Sequence, residues 1–278
     1  MRAALTLCFF PPRSNPYFVL TVLSFRAQRC ATFYSIQSYS YQSPQHENVA
    51  AVREIVSPFK TVGVVKLTNR RELKAFDAIR KSGCKLLLDR IVLPTKVVEV
   101  SGESIAFLPY SGDPIIYSWG KKDGPIGHET EISWDLLNIV ARLHEIHIAH
   151  LDIKPTNILW DTATQSIRVI DFDLSVMIDP NGRRKIKGRF GTPDFMAPEV
   201  ESGEDQEYDP FLADTFSCGK AVFHVVMAEK MTDEARFVRD LSERLAEDDV
   251  DKRWSINKMI EVWVDWLKKR GRPIYSRE

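Results

Sequence analysis

The chain has 278 residues, and its 38 Lys and Arg residues are balanced by 38 Asp and Glu residues. This length can bury a large core, either as one domain or as two lobes that share a site. The zero net charge gives no sign of bulk attraction to nucleic acid or to a membrane surface. The four cysteines lie far apart, which favours free thiols in a reducing compartment and a cytoplasmic location.

Residues 1–46 differ in composition from the rest of the chain, because they contain no acidic residue and no glycine. Their apolar runs are interrupted by prolines and are too short to span a bilayer. An Arg-containing, Ser-containing and acid-free segment is typical of a transit peptide. We therefore assign residues 1–46 to an N-terminal extension, either poorly ordered or directing the chain to mitochondria.

The next part of the chain, residues 48–110, has the patterns of strands with one helix between them. The runs NVAAVREIVS and TVGVVKL predict two strands with a turn at Ser57–Pro58. A helix follows, with Asn69 as its cap and an end near Gly83. The runs IVLPTKVVEV and SIAFLPY flank Ser101–Gly102 and predict a hairpin.

After residue 110 the patterns become helical. SWDLLNIVARLHEIH predicts a helix capped by Ser133, DTFSCGKAVFHVVMA a central buried helix, and SINKMIEVWVDWLKK an amphipathic helix. SIRVIDFDL predicts a short buried strand, and DEARFVRDLSERLAEDDVD either a charged helix or a linker. The fold class is therefore α+β, with a small β-rich N-lobe at about 47–110 and a larger helical C-lobe at about 111–278.

A group of polar residues lies on one short loop in the run HLDIKPTNILW. Asp152, Lys154 and Asn157 follow a helical pattern, and Asp171 follows the next strand. Magnesium in proteins is usually held by one or two carboxylates together with substrate phosphates. Asp152 can accept a proton from a hydroxyl, and Lys154 can balance phosphate charge. These residue types suit phosphoryl transfer, which depends on positioning and electrostatic stabilisation.

From about residue 47 to about residue 270 the chain resembles the eukaryotic protein kinases. HLDIKPTNIL is similar to their catalytic loop, DFD to their magnesium-binding DFG motif, and GTPDFMAPE to the end of their activation segment. DTFSCG and KRWS are similar to two further motifs in the same order. The resemblance implies ATP and Mg²⁺ as cofactors, Asp152 as catalytic base, Lys154 as a phosphate contact, and Asn157 and Asp171 as metal ligands.

The resemblance also implies residues that bind the nucleotide. Lys66, in VGVVKL, matches the strand Lys that contacts the α- and β-phosphates. Its partner would be Glu72, although Glu72 could instead close a capping box with Asn69, and Asp77 is an alternative partner. Leu108–Ser111, including Leu108 and Tyr110, would form the hinge beside adenine.

Two supporting contacts follow from the same resemblance. Glu199 would pair with Arg253, and Asp214 would brace the catalytic loop. Three histidines recur at every third position, which leaves a zinc site open as an alternative to structural roles; they are His144, His147 and His150.

Two departures concern glycine. The family's Gly-rich loop would fall near residues 42–50, which contain no glycine, although glycine lets backbone N–H groups approach phosphates. Asp173 replaces the Gly of DFG, which is expected to stiffen this segment without removing the metal-binding Asp171.

A third departure is Leu151, which replaces the Arg of the family's catalytic loop. Where that Arg is present, it receives the phosphate of a phosphorylated activation loop. Residues 176–191 contain no Ser, Thr or Tyr, so both receptor and phosphate source are missing. We expect no activation by phosphorylation of this segment. Its five basic residues form either a solvated loop or a patch for acidic substrate.

Two functions remain after these considerations. Thr192 lies where Ser/Thr kinases carry a Thr, and the motif around it disfavours small-molecule kinases of the aminoglycoside or choline type. The first function is therefore ATP-dependent phosphorylation of Ser or Thr in protein substrates by a monomer. The alternative is a pseudokinase that acts as a binding or scaffold module, which the two glycine departures favour.

Overall fold

A computed structural model describes eight segments of the chain: 19–23, 33–38, 49–54, 61–100, 102–182, 184–203, 205–227 and 232–275. The chain forms two compact units. The β-rich unit comprises residues 1–69 and 93–110, and the helical unit comprises residues 70–92 and 111–278. The division after residue 110 coincides with the predicted lobe boundary, whereas residues 70–92 belong to the helical unit.

The β-rich unit is built on a single antiparallel sheet of six strands in the order β1-β2-β3-β4-β6-β5. The strands are β1 Val19–Leu23, β2 Phe33–Ser38, β3 Val49–Glu54, β4 Thr61–Thr68, β5 Lys96–Val100 and β6 Glu103–Pro109. The strands predicted around residue 57 and the predicted hairpin are thus confirmed. Strands β1 and β2 lie in the segment 1–46, for which the sequence predicted no regular element.

The register of the sheet places Lys66 in its interior, because Lys66 in β4 faces Val49 of β3 on one side and Ala106 of β6 on the other. The connection from β2 to β3, where the Gly-rich loop was expected, lies outside the described residues. The predicted turn at Ser57–Pro58 also lies outside them.

The helical unit contains seven α-helices and five short strands within the described residues. The helices are α1 Arg70–Ser82, α2 Lys85–Arg90, α3 Glu129–Glu145, α4 Pro198–Glu201, α5 Pro210–Val226, α6 Asp233–Leu245 and α7 Ile256–Lys269. The strands are β7 Asp113–Pro114, β8 Ile148–Ala149, β9 Ile158–Asp161, β10 Ser166–Val169 and β11 Val176–Met177. Helix α1 begins directly after Asn69, as predicted.

The prediction that Ser133 caps a helix was wrong. Helix α3 begins four residues earlier, at Glu129, and Ser133 is buried inside it, where its hydroxyl donates to the Glu129 carbonyl at 2.7 Å. Glu129 and Glu131 place negative charge in the first turn, which the helix dipole favours. The Glu129 side chain also accepts from the Gly127 N–H.

Helix α5 forms the centre of the helical unit, as its all-round apolar pattern predicted. Most of its residues are buried, and it packs against α3 and α6. The charged segment after residue 231 is a helix, α6, whose N-terminus is capped by the Thr232 hydroxyl and whose buried face includes Val238 and Leu241. Helix α7 is capped by Ser255 and buries Met259 and Trp263. Within the described residues, no helix combines the length and apolarity needed to cross a membrane.

A two-stranded and a three-stranded antiparallel sheet carry the loops that bear the polar residues. Strand β8 pairs with β11, and β9 pairs with β10. The loop 150–157 therefore begins at the end of β8 and ends at the start of β9, and Asp171 follows β10 closely. This hairpin arrangement brings the predicted catalytic loop and the DFD motif to neighbouring positions in the helical unit.

Candidate active site

The backbone of the catalytic loop is held in place by a carboxylate on the central helix, α5. The two oxygens of Asp214, on α5, accept the backbone N–H groups of His150 and Leu151, each at 2.6 Å. His144, at the end of α3, approaches the same carboxylate at 3.1 Å. Leu151 has a φ of 64°, an unusual conformation for a bulky non-glycine residue. The Asp214 bonds stabilise this conformation, and the predicted bracing role of Asp214 matches its position.

The tip of the loop carries a compact polar network around Asp152. The Thr192 hydroxyl donates to Asp152 Oδ1 at 2.6 Å and accepts from Lys154 Nζ at 2.7 Å. Lys154 Nζ also lies 2.8 Å from Asp152 Oδ2. Asn157 Nδ2 donates to the backbone carbonyl and to Oδ2 of Asp152, each at 2.9 Å. The structure therefore brings three predicted site residues together and joins them to Thr192 of the activation segment.

The histidines serve structural contacts in this network. His150 Nδ1 accepts the Asp152 N–H at 3.2 Å, so its Nε2 carries the proton that is donated to the Ile170 carbonyl at 3.1 Å. His144 faces Asp214. Within the described residues, no metal-binding group includes a histidine, so the zinc alternative has no support.

The DFD motif lies beside helix α1. Asp171 has a φ of 70°, and the N–H of the following Phe172 donates to Glu72 Oε1 at 3.2 Å. Glu72 is 1% exposed, so its carboxylate faces the interior with a partner outside its own helix. The alternative residue Asp77 is exposed and pairs with Lys81 at 2.6 Å, which leaves Glu72 as the buried carboxylate of α1.

The donor set suits a hard divalent cation. Carboxylate oxygens of Glu72, Asp171 and Asp173 lie within 4.8 Å of one another. Because the nitrogen side of the Asn157 amide faces Asp152, its oxygen is the atom that could bind a metal. Such an all-oxygen set is what Mg²⁺ prefers. The residues therefore fit the metal that the sequence predicts, and Asp173 adds a carboxylate where the family has glycine.

A buried ion pair ties the end of the activation segment to the helices. Glu199 accepts two bonds from Arg253, at 2.6 and 2.9 Å, as predicted. Tyr208 is 3% exposed, and this burial, with the nearby carboxylates of Asp214 and Glu199, raises the pKa of its phenol above the ordinary value. Tyr208 therefore stays protonated beside the pair.

The predicted nucleotide residues of the β-rich unit occupy distinct positions in its sheet. Lys66 is buried in β4, where a charged side chain is rare without a specific role. Leu108 pairs with Val64 near the end of β6, and Tyr110 follows that strand with 42% of its surface exposed.

Comparison with known proteins decides the family. A sequence model described as protein kinase domain matches residues 125–265, about half of the chain. The chain belongs to the protein kinase family. The match covers the catalytic loop, the DFD motif, the activation segment and the central helix, so the α+β kinase-like fold predicted from the sequence is confirmed.

Several curated kinases are similar to parts of this chain. The death-associated protein kinase dapk-1 of Caenorhabditis elegans is 32% identical over 153 residues, which are 46% of this chain and 11% of that protein. CBL-interacting serine/threonine-protein kinase 24 of Arabidopsis thaliana is 40% identical over 91 residues, 33% of this chain and 20% of the relative. Myosin light chain kinase 3 of Rattus norvegicus is 45% identical over 81 residues, 29% of this chain and 10% of the relative. The chain thus spans well under half the length of these kinases.

The sequence did not identify two contacts that matter for the site. One is the contact of His144 with Asp214. The other is Arg71, whose guanidinium carbon lies 4.7 Å from the centre of the Phe190 ring in the activation segment. Both join residues far apart in the sequence, and the only available signal was the position of Arg71 directly before Glu72.

Proposed function

We propose that this kinase-family chain is an active Ser/Thr protein kinase that transfers the γ-phosphate of ATP to protein substrates. The observation that carries the proposal is the Asp152–Thr192–Lys154 network. In it the Thr192 hydroxyl lies 2.6 Å from Asp152 Oδ1 and 2.7 Å from Lys154 Nζ. A preorganised carboxylate and ammonium are what phosphoryl transfer requires. The Ser/Thr preference is supported by the names of the curated relatives.

Each residue of the network has a defined role in the proposed reaction. Asp152 orients the substrate hydroxyl and accepts its proton, because its carboxylate is held in place by Asn157 and Thr192. Lys154 places positive charge beside the phosphate in transit. The Thr192 hydroxyl keeps the Lys154 ammonium in position beside Asp152. Positioning these groups before substrate arrives lowers the cost of reaching the transition state.

The cofactors of the proposed reaction are ATP and Mg²⁺. We assign Asn157 and Asp171 as metal ligands, with Lys66 at the α- and β-phosphates and Glu72 as its partner. Leu108 and Tyr110 would contact adenine, as the resemblance implies. The metal, when bound, would neutralise charge on the phosphates and orient them.

Transfer of labelled γ-phosphate to a mixed protein substrate, with Mg²⁺ and ATP, tests the proposal. We expect phosphoserine and phosphothreonine in the product, and their loss in Asp152→Asn and Asp171→Asn. Asp265→Asn, in an exposed position of α7, is the matched control and should keep wild-type transfer. Wild-type transfer no greater than that of Asp152→Asn, in proteins with equal melting temperatures, would reject the active-kinase proposal.

A pseudokinase remains the second candidate, because residues 42–50 lack glycine and Asp173 replaces the DFG glycine. The structure holds Asp173 within 4.8 Å of Glu72 and Asp171, which adds negative charge near the proposed metal. When transfer is absent, thermal-shift measurements with ATP, with and without Mg²⁺, show whether the pseudokinase binds nucleotide. A melting-temperature rise without transfer supports a nucleotide-binding module.

We also propose that the protein acts as a monomer in the cytoplasm. The widely separated cysteines and the balanced charge support the cytoplasmic location, and the acid-free segment 1–46 supports the mitochondrial alternative. Fluorescent fusions with and without residues 1–46 distinguish them: cytoplasmic signal from both agrees with the proposal, and mitochondrial signal that needs residues 1–46 contradicts it.

A further inference from the structure

The activation segment of this chain is held in place by apolar and backbone contacts around Leu151. Leu151 is 3% exposed and belongs to a cluster of buried residues: Ala149, Leu151, Ile178, Met196, Ala197, Val200, Tyr208, Phe211, Ala213 and Phe216. Ile186 and Phe190, both in the segment, pack against this cluster. Side chains from the segment therefore contact the surface to which Leu151 contributes.

Phe190 directly precedes a close approach between the backbone of the segment and that of the catalytic loop. The next residue, Gly191, has a φ of 125°, and a Cβ there would be 3.1 Å from the Leu151 carbonyl oxygen. Only a glycine lets the backbone approach so closely in this conformation. The Phe190 ring is thus placed beside the loop by the backbone as well as by its own packing.

A second contact joins Phe190 to helix α1. The Arg71 guanidinium lies over the Phe190 ring at 4.7 Å, within the range of a cation–π interaction. The neighbouring residue Glu72 accepts the Phe172 N–H at 3.2 Å. Arg71 and Glu72, which are consecutive in α1, therefore contact the two ends of the stretch from the DFD motif to Thr192. Glu72 contacts Phe172 near its beginning, and Arg71 contacts Phe190 near its end.

The middle of the segment is anchored to the chain before α5. Ile186 and Tyr208 exchange two backbone hydrogen bonds, each 3.0 Å long. Arg184 pairs with Asp209 at 2.7 Å, and its guanidinium lies 4.6 Å from the Phe211 ring centre. Arg184, one of the basic residues that could have attracted an acidic substrate, therefore pairs with residues of the protein itself.

We propose that Phe190 is a positioning residue: seated against the Leu151 cluster and covered by Arg71, it links α1 to the activation segment and keeps Thr192 at Asp152. The inference rests on the proposed function for its effect on turnover, but its structural part does not depend on activity. The link is made by an aromatic ring that the chain always carries, so it needs no covalent modification.

The test compares Phe190→Ala with Phe190→Tyr and Arg71→Gln. The matched control is Phe237→Ala, which removes a ring of similar burial that stacks on Trp266 at 4.8 Å in α6 and α7. Trypsin provides a readout independent of catalysis, because the segment contains Arg184, Lys185, Lys187 and Arg189. Cleavage of a transiently opened segment reports how often it opens.

We expect cleavage within 184–189 to accelerate about tenfold in Phe190→Ala and about threefold in Arg71→Gln, with Phe190→Tyr close to wild type. In the active enzyme, kcat should fall by about tenfold in Phe190→Ala while KM for ATP changes less than about twofold. Phosphatase treatment of the wild type should change neither quantity.

Wild-type cleavage rates in Phe190→Ala would overturn the inference, as would equal acceleration in Phe237→Ala. A wild type that loses protection after phosphatase treatment would overturn it as well. If no variant or wild type transfers phosphate, the proposed function fails, and the cleavage comparison alone still decides the position of Phe190.

Discussion

The Glu199–Arg253 pair gives the most quantitative prediction for stability. The Arg253 side chain is fully buried and that of Glu199 is 12% exposed. The Glu199→Gln substitution keeps the shape of the side chain but leaves the arginine charge buried without its carboxylate. Removing one partner of a buried pair costs about 3–5 kcal/mol. Arg253 keeps bonds to the carbonyls of Glu247 and Leu212 at 2.8 and 3.0 Å, so we expect the lower end, about 3 kcal/mol.

Urea unfolding followed by tryptophan fluorescence measures this cost. A loss of about 3 kcal/mol corresponds to a melting temperature lower by about 6–12 °C in a protein of this size. The matched control is Glu145→Gln, which breaks a half-exposed pair with Arg142 and should cost less than about 1 kcal/mol. Equal midpoints and equal slopes for the two variants would refute the argument that burial makes the Glu199 pair costly to break.

Three further predictions concern the Thr192 hydroxyl, the close backbone approach at Gly112, and Tyr275. Thr192→Val removes both hydroxyl bonds and should lower kcat by about 10- to 100-fold, whereas Thr192→Ser should keep most activity in steady-state phosphate transfer. Gly112→Ala should cost at least about 1–3 kcal/mol in urea unfolding, because the φ of Gly112 is 107° and a Cβ would lie 2.0 Å from the Trp160 carbonyl oxygen. Burial, reinforced by Glu234, raises the pKa of Tyr275. The stability that protonated Tyr275 contributes is therefore present below the unfolded pKa of about 10 and is lost as pH rises above that value. Tyr275→Phe should flatten the fall in unfolding free energy between about pH 9 and 11.

The long helices could be predicted because their signals are local. In α7 the apolar stripe lies within one short segment, and the structure buries Met259 and Trp263 where the pattern predicted an amphipathic helix. The cap at Ser255 was not predicted. The start of α3 could not be predicted in the same way. Ser133 has the residue type of a cap, but the chain before it, from Glu129, continues the helix with acidic residues in the first turn. Local propensity alone could not choose between the two starting points.

The polar residues of the site were predictable because motif order and residue type are preserved in HLDIKPTNIL and DFD. The contact between Arg71 and Phe190 was not, because it joins residues more than a hundred positions apart. Helix α2 was missed because six residues are too few to establish a periodic pattern.

Two features of the sequence have one physical explanation. Position 151 carries leucine where the family has arginine, and residues 176–191 contain no Ser, Thr or Tyr. Position 151 is 3% exposed within an apolar cluster. An arginine there would be a buried charge, and without a phosphate on the segment to pair with, it would cost several kcal/mol. Leu151 instead gains about 1.5–3 kcal/mol from burial. Without phosphate acceptors in residues 176–191, an apolar side chain at position 151 is the more stable choice. Conversely, with leucine there, a phosphate on the segment would find no arginine at this position to receive it.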